Sequence, residues 1–286
     1  MENIDIRFTS RMQRIIRNAE REALQSKAGI VKSAHLLIAC LYEKGGALGD
    51  LILHTDISLN SIRDTAELTN AYQTMKVDYF DCLITVEVAK VTDVAVNYMN
   101  HYNQIFVNEG HLLKALITTK ALDSYLSRKT REIILRLGTT SRDMFTHLGN
   151  YTFPVINTKG IRKVRLEDEE IFVAFVKENF SQEWASTIKS AFMLIEPSIY
   201  VALDENEKFI GFAAYDIYQN KKGYFGPMGV VTSNRANRAG YALLHHCLKD
   251  MKEVGYEYAI IGGAGPIEFY EKACNAVVIP SVSVAN

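Results

Sequence analysis

Hydrophobic positions follow two different rhythms along this chain. From Ser10 to Gln25, Met12, Ile15, Ile16, Ala19 and Ala23 fall at the spacing of one helical face, which predicts an amphipathic helix. Ser33 stands as an N-cap before the apolar run His35-Leu36-Leu37-Ile38-Ala39-Cys40-Leu41, and Gly45-Gly46 ends that second helix. Beyond residue 160 the pattern changes to extended runs at Ile199–Leu203, Phe209–Ile217, Phe225–Val231 and Tyr258–Ile261, with helical stretches between them. The change falls between Asn150 and Gly160, where Pro154 and Asn157-Thr158-Lys159-Gly160 punctuate the chain. Two domains are expected: an all-α bundle over residues 1–150 and an α/β domain over 160–286. The second is expected to carry about six strands.

The helical half repeats itself. Phe8–Cys40 superposes on Ile84–Leu116 without a gap, every position displaced by 76 (84 minus 8). Thr9 then matches Thr85, Ala19 matches Ala95, Val31 matches Val107, His35-Leu36-Leu37 matches His111-Leu112-Leu113, and Ala39 matches Ala115. Duplicated helical units imply two bundles related by a pseudo-twofold axis, each needing the other to bury its apolar face. Over about residues 5–148 the pattern resembles the Clp amino-terminal domain, in which Phe-Thr opens each repeat and a Thr/Ser-Glu-His-Leu-Leu segment begins an inner helix. The resemblance implies a double-repeat helical bundle that binds a protein or peptide partner. In some relatives acidic groups of this domain hold phosphorylated arginine; Ala34 and Gly110 stand where the acid precedes the histidine. No Gly-x-x-x-x-Gly-Lys-(Ser/Thr) loop occurs, so the chain is not itself a Clp ATPase.

In the second half, Tyr224 to Leu244 reads as a buried strand, a turn rich in Asn, Arg and Gly, and an amphipathic helix. That order puts free backbone N–H groups at a helix N-terminus, where a phosphate binds well. Gly226, Pro227 and Gly229 mark the strand as interrupted, since proline removes a ladder donor and glycines admit a closely approaching backbone. Met228, Val230, Thr232, Arg235, Arg238 and Gly240 resemble the acyl-CoA-binding motif of GNAT-superfamily N-acetyltransferases, and Phe269-Tyr270-Glu271-Lys272 resembles that family's C-terminal motif. The resemblance covers about Ile161 to the end and implies a mixed, splayed central sheet with acetyl-CoA as acyl donor. It implies that the main chain of Met228, Gly229 and Val230 receives the thioester and pantetheine. Arg235, Ala236, Asn237, Arg238, Ala239, Gly240 and Tyr241 would hold the pyrophosphate, and Tyr270 would protonate the departing thiolate. Arg238 stands where the family places a glycine, and two outcomes follow: its guanidinium pairs with phosphate, or it damages the loop.

Composition narrows the partners. A net charge of −1, with 32 Lys and Arg against 33 Asp and Glu, argues against nucleic acid as the main partner. No 18-residue apolar stretch and no secretory leader are present, and four cysteines without a Cys-x-x-Cys pair fit reduced thiols, so a cytoplasmic protein without membrane spans is expected. The adjacent pair His245 and His246 points in two directions on a helix, and His35 and His111 read as helix-start residues, so no metal is expected. Arg7, Arg11, Arg14, Arg17 and Arg21 read as a solvated stripe balanced by Glu20 and Glu22. Asp216 and Glu196 are candidate general bases. The expected activity is direct acetyl transfer from acetyl-CoA to a primary amine. The alternative is a non-catalytic CoA-sensing or regulatory protein with a degenerate transferase fold.

Overall fold

A computed structural model describes residues 6–27, 29–68, 72–232, 234 and 238–280. Two compact units emerge, one built on the residues up to 141 together with 265–268, the other on 142–264 and 269–279.

The first unit is the helical repeat. Its elements are α1 (Ser10–Gln25), α2 (Ser33–Tyr42), α3 (Gly46–Leu53), α4 (Leu59–Leu68), the short pair β1 (Thr74–Met75) and β2 (Ile84–Thr85), α5 (Val86–His101), α6 (Glu109–Thr118) and α7 (Arg128–Gly138). The apolar face of α1 read from the sequence is the buried one: Met12, Ile15, Ile16, Ala19 and Ala23 all enter the core.

The two repeats lock by exchange. Phe8 bridges Val107, and its counterpart Ile84 bridges Val31, the counterpart of Val107. Thr9 N–H donates to Val107 O at 3.0 Å, and Thr85 N–H to Val31 O at 3.0 Å. The side chains of Thr9 and Thr85 then cap α1 and α5 by accepting from Met12 and Val88 N–H. At the inner helices His35 Nδ1 accepts from Lys32 N–H at 3.1 Å, and His111 Nδ1 from Asn108 N–H at 3.2 Å. Each imidazole thus takes the role of the Glu or Gln that closes a capping box from the third helical position. Ser33 is therefore not the N-cap; Lys32 holds that position, and the Ser33 hydroxyl donates instead to Glu87 at 2.6 Å.

That bond has a twin. Arg11 and Glu87 are equivalent under the repeat, as are Ser33 and Glu109, and Arg11 donates to Glu109 at 2.5 Å. Arg11 is only 5% exposed, so the arginine stripe on α1 is not uniformly solvated. Arg14 binds both oxygens of Glu43. Glu20 is drawn away to the N–H groups of Asp81 and Cys82, and Glu22 to Arg63 and Tyr42. The position before the histidine is fully buried at Ala34, and a Cβ on Gly110 would lie 3.3 Å from Gly138 O. A carboxylate at Ala34 would be desolvated, and one at Gly110 would be crowded against the Gly138 carbonyl.

The second unit is a seven-stranded mixed sheet in the order β4-β5-β6-β7-β8-β3-β9. Its strands are β3 (Arg142–His147), β4 (Ile161–Lys163), β5 (Ile199–Leu203), β6 (Phe209–Tyr215), β7 (Tyr224–Val230), β8 (Tyr258–Ala264) and β9 (Val277–Val278). Helices α8 (Glu169–Asn179) and α9 (Gln182–Ala191) pack on one face, where Phe172, Phe180 and Trp184 surround Phe212. Helix α10 (Ala239–Val254) lies on the other face. There its Asp250 accepts from Tyr200 at 2.9 Å and Tyr215 at 3.1 Å and pairs with Lys163 at 2.9 Å. Helix α11 (Ile267–Cys274) follows β8.

Strand β3 begins at Arg142, ahead of the stretch from Asn150 to Gly160, and supplies a strand beyond the six expected. Its inward positions are Arg142, Met144 and Thr146, two of them polar, which hides the alternation a buried strand normally shows. Arg142 donates to Ile279 O at 3.0 Å and Thr146 to Cys274 O at 2.5 Å, so both polar groups are satisfied by main chain. No helix among the described residues is long and apolar enough to cross a membrane.

Burial lowers His35 and His111 to about 4. Each ring is neutral in the fold, while the unfolded imidazole titrates near 6.5. Their contribution to stability is complete above that value and is lost as pH falls from about 6.5 to about 4, because the unfolded chain then binds the protons. Changing both to Gln, which keeps an acceptor at the third helical position without titrating, is expected to flatten the pH dependence of the helical unit's melting midpoint across that window. Melting curves of both proteins at half-unit pH steps measure the difference.

Candidate functional site at a parted strand pair

Strands β7 and β8 run parallel and pair at only two positions, Tyr224 with Ile260 and Phe225 with Ile261. Past Phe225 they separate. β7 continues against β6, with Ala213 opposite Met228, Phe212 opposite Gly229 and Gly211 opposite Val230. β8 continues against β3, with Ala264 opposite Arg142. A gap therefore opens between Gly226–Val230 on one bank and Gly262–Ala264 on the other.

Register decides which groups face it. Val231 N–H donates to Ile210 O at 2.9 Å, so in this antiparallel ladder the odd-numbered residues 229 and 231 bond across to β6. The alternate residues Met228 and Val230 turn their amides and carbonyls the other way, toward the gap. Gly229 is the exception among the residues expected to meet a cofactor. Its main chain serves β6, and a Cβ there would lie 2.3 Å from the Phe180 ring, so the packed ring accounts for the glycine.

At the end of β7 the chain turns into α10. Arg235, Ala236 and Asn237 lie outside the described residues. Arg238 is the N-cap of α10 at φ 57, ψ 15, the left-handed conformation that a glycine adopts without strain. Its side chain is exposed. Ala242 N–H donates to Arg238 O at 3.2 Å, and Ala239, Gly240 and Tyr241 form the first turn of α10 ahead of it. Gly240 faces Val230: a Cβ there would sit 3.5 Å from the valine's Cγ2. The edge of β7 and the start of α10 are thus neighbours.

Tyr270 stands on α11 with its ring edge-on to Phe225, at 6.3 Å, and to Phe269, at 4.9 Å. Phe225 is the last residue of β7 that pairs with β8, so Tyr270 is placed at the point of parting. It is 6% exposed, and burial raises its hydroxyl well above the usual phenol range. The group is held protonated, the state a proton donor needs.

The candidate bases fare differently. Asp216 locks the turn between β6 and β7, with one oxygen accepting from Gly223 N–H and the other from the Tyr256 hydroxyl, both at 2.7 Å. Both of its oxygens are thus engaged in holding that turn. Glu196 is exposed in the connection after α9. His245 Nδ1 lies 2.8 Å from the Tyr151 hydroxyl in a hydrogen bond, whereas His246 packs on Phe153 and Tyr200, so the two rings point apart.

Sequence reading passed over the β8 bank. There a Cβ on Gly262 would coincide with the Tyr224 hydroxyl, and Gly263 adopts φ +57. The tandem glycine inside an otherwise apolar strand was the available signal.

Comparison with known proteins agrees with these two units. Residues 7–128 match the Clp repeat (R) N-terminal domain, and residues 163–276 match the acetyltransferase (GNAT) family. A search among curated proteins returned no match. Among solved structures, the chain is similar to a GCN5-related glucosamine N-acetyltransferase region of a fungal multi-domain GH3 beta-N-acetylglucosaminidase. That likeness has 14% identity and TM-score 0.43 and covers 73% of this chain and 30% of the other. It is also similar to a GCN5-related N-acetyltransferase from Sphaerobacter thermophilus (20% identity, TM-score 0.39, 52% of this chain and 53% of that one). A third likeness is to the N-terminal domain of the caseinolytic protease associated chaperone ClpD from Arabidopsis thaliana (20% identity, TM-score 0.31, 46% of this chain and 87% of that one).

Left-handed geometry at a non-glycine residue costs roughly 1–2 kcal/mol, and glycine's extra unfolded freedom costs roughly 0.5–1. Arg238→Gly is therefore expected to stabilise the second unit by about 0.5–1 kcal/mol. Denaturant unfolding of that variant against the parent measures it.

Proposed function

From a chain carrying a Clp repeat N-terminal domain and a GNAT-family acetyltransferase domain, we propose that the second unit is an acetyl-CoA-dependent N-acetyltransferase acting on a primary amine. The observation that carries this reading is the edge of β7 that Met228 turns away from β6, set beside the first-turn amides that open α10. Those residues fit an extended, phosphate-tailed thioester. Val230 pairs with the pantetheine arm as a neighbouring strand would. The amides of Ala239, Gly240 and Tyr241 receive the pyrophosphate, with the Arg238 guanidinium beside them. The Met228 amide faces the carbonyl oxygen on which negative charge develops. Tyr270, held as the neutral phenol, donates its proton to the departing thiolate. The first unit binds a protein or peptide partner in this reading, and the whole acts in the cytosol without metal.

The buried position of Tyr270 favours a second reading, a CoA-binding regulatory protein without turnover. Calorimetric titration with acetyl-CoA, followed by an amine panel, separates the two. Absence of binding rejects both; binding without turnover leaves the regulator.

If the transferase reading is right, Tyr270→Phe lowers kcat by roughly 10²–10⁴-fold with acetyl-CoA affinity unchanged. A variant of normal rate removes the tyrosine from the mechanism. Arg238→Gly keeps the loop's backbone conformation, so it isolates the guanidinium. Loss of roughly tenfold or more in CoA affinity assigns it a phosphate contact, and unchanged affinity assigns the phosphates to main chain alone.

A further inference from the structure

We infer that Tyr224 orients the acceptor: its hydroxyl, held over Gly262 where β7 and β8 part, receives an N–H of the attacking amine on the sheet face opposite Tyr270. The inference rests on the transferase reading and deepens it by naming the residue that aims the nucleophile.

The two tyrosines stand on opposite faces of one opening. Tyr215 pairs with Phe225 in register and bonds Asp250 of α10, so Phe225 and the Tyr270 ring against it lie on the α10 face. Successive strand residues point to opposite faces, which turns Tyr224 to the face of α8 and α9. Its ring runs forward along the strand. Tyr224 pairs with Ile260, yet its hydroxyl reaches the place that a Cβ on Gly262 would take. Gly262 belongs to the bank of the gap. Ile260 N–H donates across to Gly223 O at 2.8 Å, so Ile260 turns its main chain toward β7 and Gly262, the next residue in that alternation, does the same. Gly262 also follows directly on the Phe225–Ile261 pair, the last before the strands separate. The Tyr224 hydroxyl therefore stands at the apex of the gap.

The ring is clamped, and its hydroxyl is left over. Tyr218 stacks on it with centroids 5.4 Å apart and planes inclined by 20°, and the Lys221 ammonium lies 5.3 Å from its centroid. Gly262 leaves the ring its room. A phenylalanine would fill the same space and keep both ring contacts, so packing accounts for the glycine and the ring but not for the oxygen. Among the described residues that oxygen has no hydrogen-bond partner. Burial, and after it the charge of Asp143, raises the hydroxyl above the usual phenol range, so it stays neutral with lone pairs able to accept. A group fixed in place before the ligand arrives orients it at little further entropic cost. The face follows from the cofactor's course. A thioester whose phosphates sit at the first turn of α10 occupies the α10 side, and the amine is left the side on which Tyr224 waits.

The step balances as follows. The amine reacts as the neutral base, one N–H donating to the Tyr224 oxygen while the lone pair faces the acetyl carbon. The C–N bond forms and the C–S bond breaks. The thiolate takes the Tyr270 proton, the nitrogen releases its surplus proton to water, and water restores Tyr270.

The test is Tyr224→Phe in the full-length protein, assayed with glucosamine, spermidine, 2-phenylethylamine and a lysine-containing peptide as acceptors. Calorimetric titration with acetyl-CoA gives both the affinity and the fraction of competent sites, so rates are expressed per competent site and a partly folded sample does not mimic the effect. Expected is an unchanged acetyl-CoA affinity with kcat/KM for the best acceptor lowered at least about threefold and up to about tenfold, the range for one lost neutral hydrogen bond. A smaller loss, or an equal loss of acetyl-CoA affinity, overturns the role of Tyr224 and leaves the transferase reading intact. A parent protein that acetylates none of the acceptors overturns both.

Discussion

A parallel strand pair that holds for two residues and then lets go is the constraint on which the second unit turns. Parallel neighbours normally stay bonded, because each exposed N–H and C=O left without a partner loses a hydrogen bond to something else. Here each strand has another neighbour to keep it: β6 holds β7 as far as Val230, and β3 holds β8 as far as Ala264. The parting is therefore built from two competing ladders, not from weakness in either strand. Its groups at Met228 and Val230 turn into the gap by the same alternation that bonds Gly229 to β6.

The helical unit rests on a comparable economy. Each repeat's opening residue bridges the other repeat, Phe8 to Val107 and Ile84 to Val31, so neither bundle completes its own entry. The paired bonds of Arg11 with Glu109 and Ser33 with Glu87 occupy equivalent places and have diverged in chemistry while keeping their geometry. A buried Arg–Glu pair is costly to leave half made. The hydroxyl version carries less risk at the same crossing. What the duplication conserves is the crossing itself.

Much of this was legible in local pattern. The α1 face, the inner-helix histidines, the four central strands and the strand–turn–helix at Tyr224–Leu244 all announce themselves within a window of some twenty residues, where periodicity is informative. What escaped depends on partners far away in sequence. Strand β3 reads as polar because Arg142 and Thr146 face inward and are satisfied by carbonyls of Ile279 and Cys274, more than a hundred residues later. Ser33 looks like a cap, and only the arrival of Glu87 shows why its hydroxyl turns elsewhere. Asp216 reads as a candidate base, and only the fold shows both of its oxygens bonded, to Gly223 and Tyr256. Arg238 raised the question of whether arginine tolerates a glycine's place. The backbone keeps the glycine conformation, and the side chain is exposed.

The position of β3 extends the second unit beyond the matched family region. The family match begins at residue 163, yet the strand that holds one bank of the gap ends at His147. Without it, β8 would keep Tyr224 and Phe225 as partners and lose the ladder that draws Gly262–Ala264 away from β7. At the bulge, Gly262 and Gly263 stand opposite Asp143, whose Oδ1 accepts from Gly263 N–H at 2.8 Å. Every motif by which the fold is recognised lies downstream, and none of them opens the gap alone. The opening is a property of the sheet as a whole, supplied in part by six residues that no motif includes.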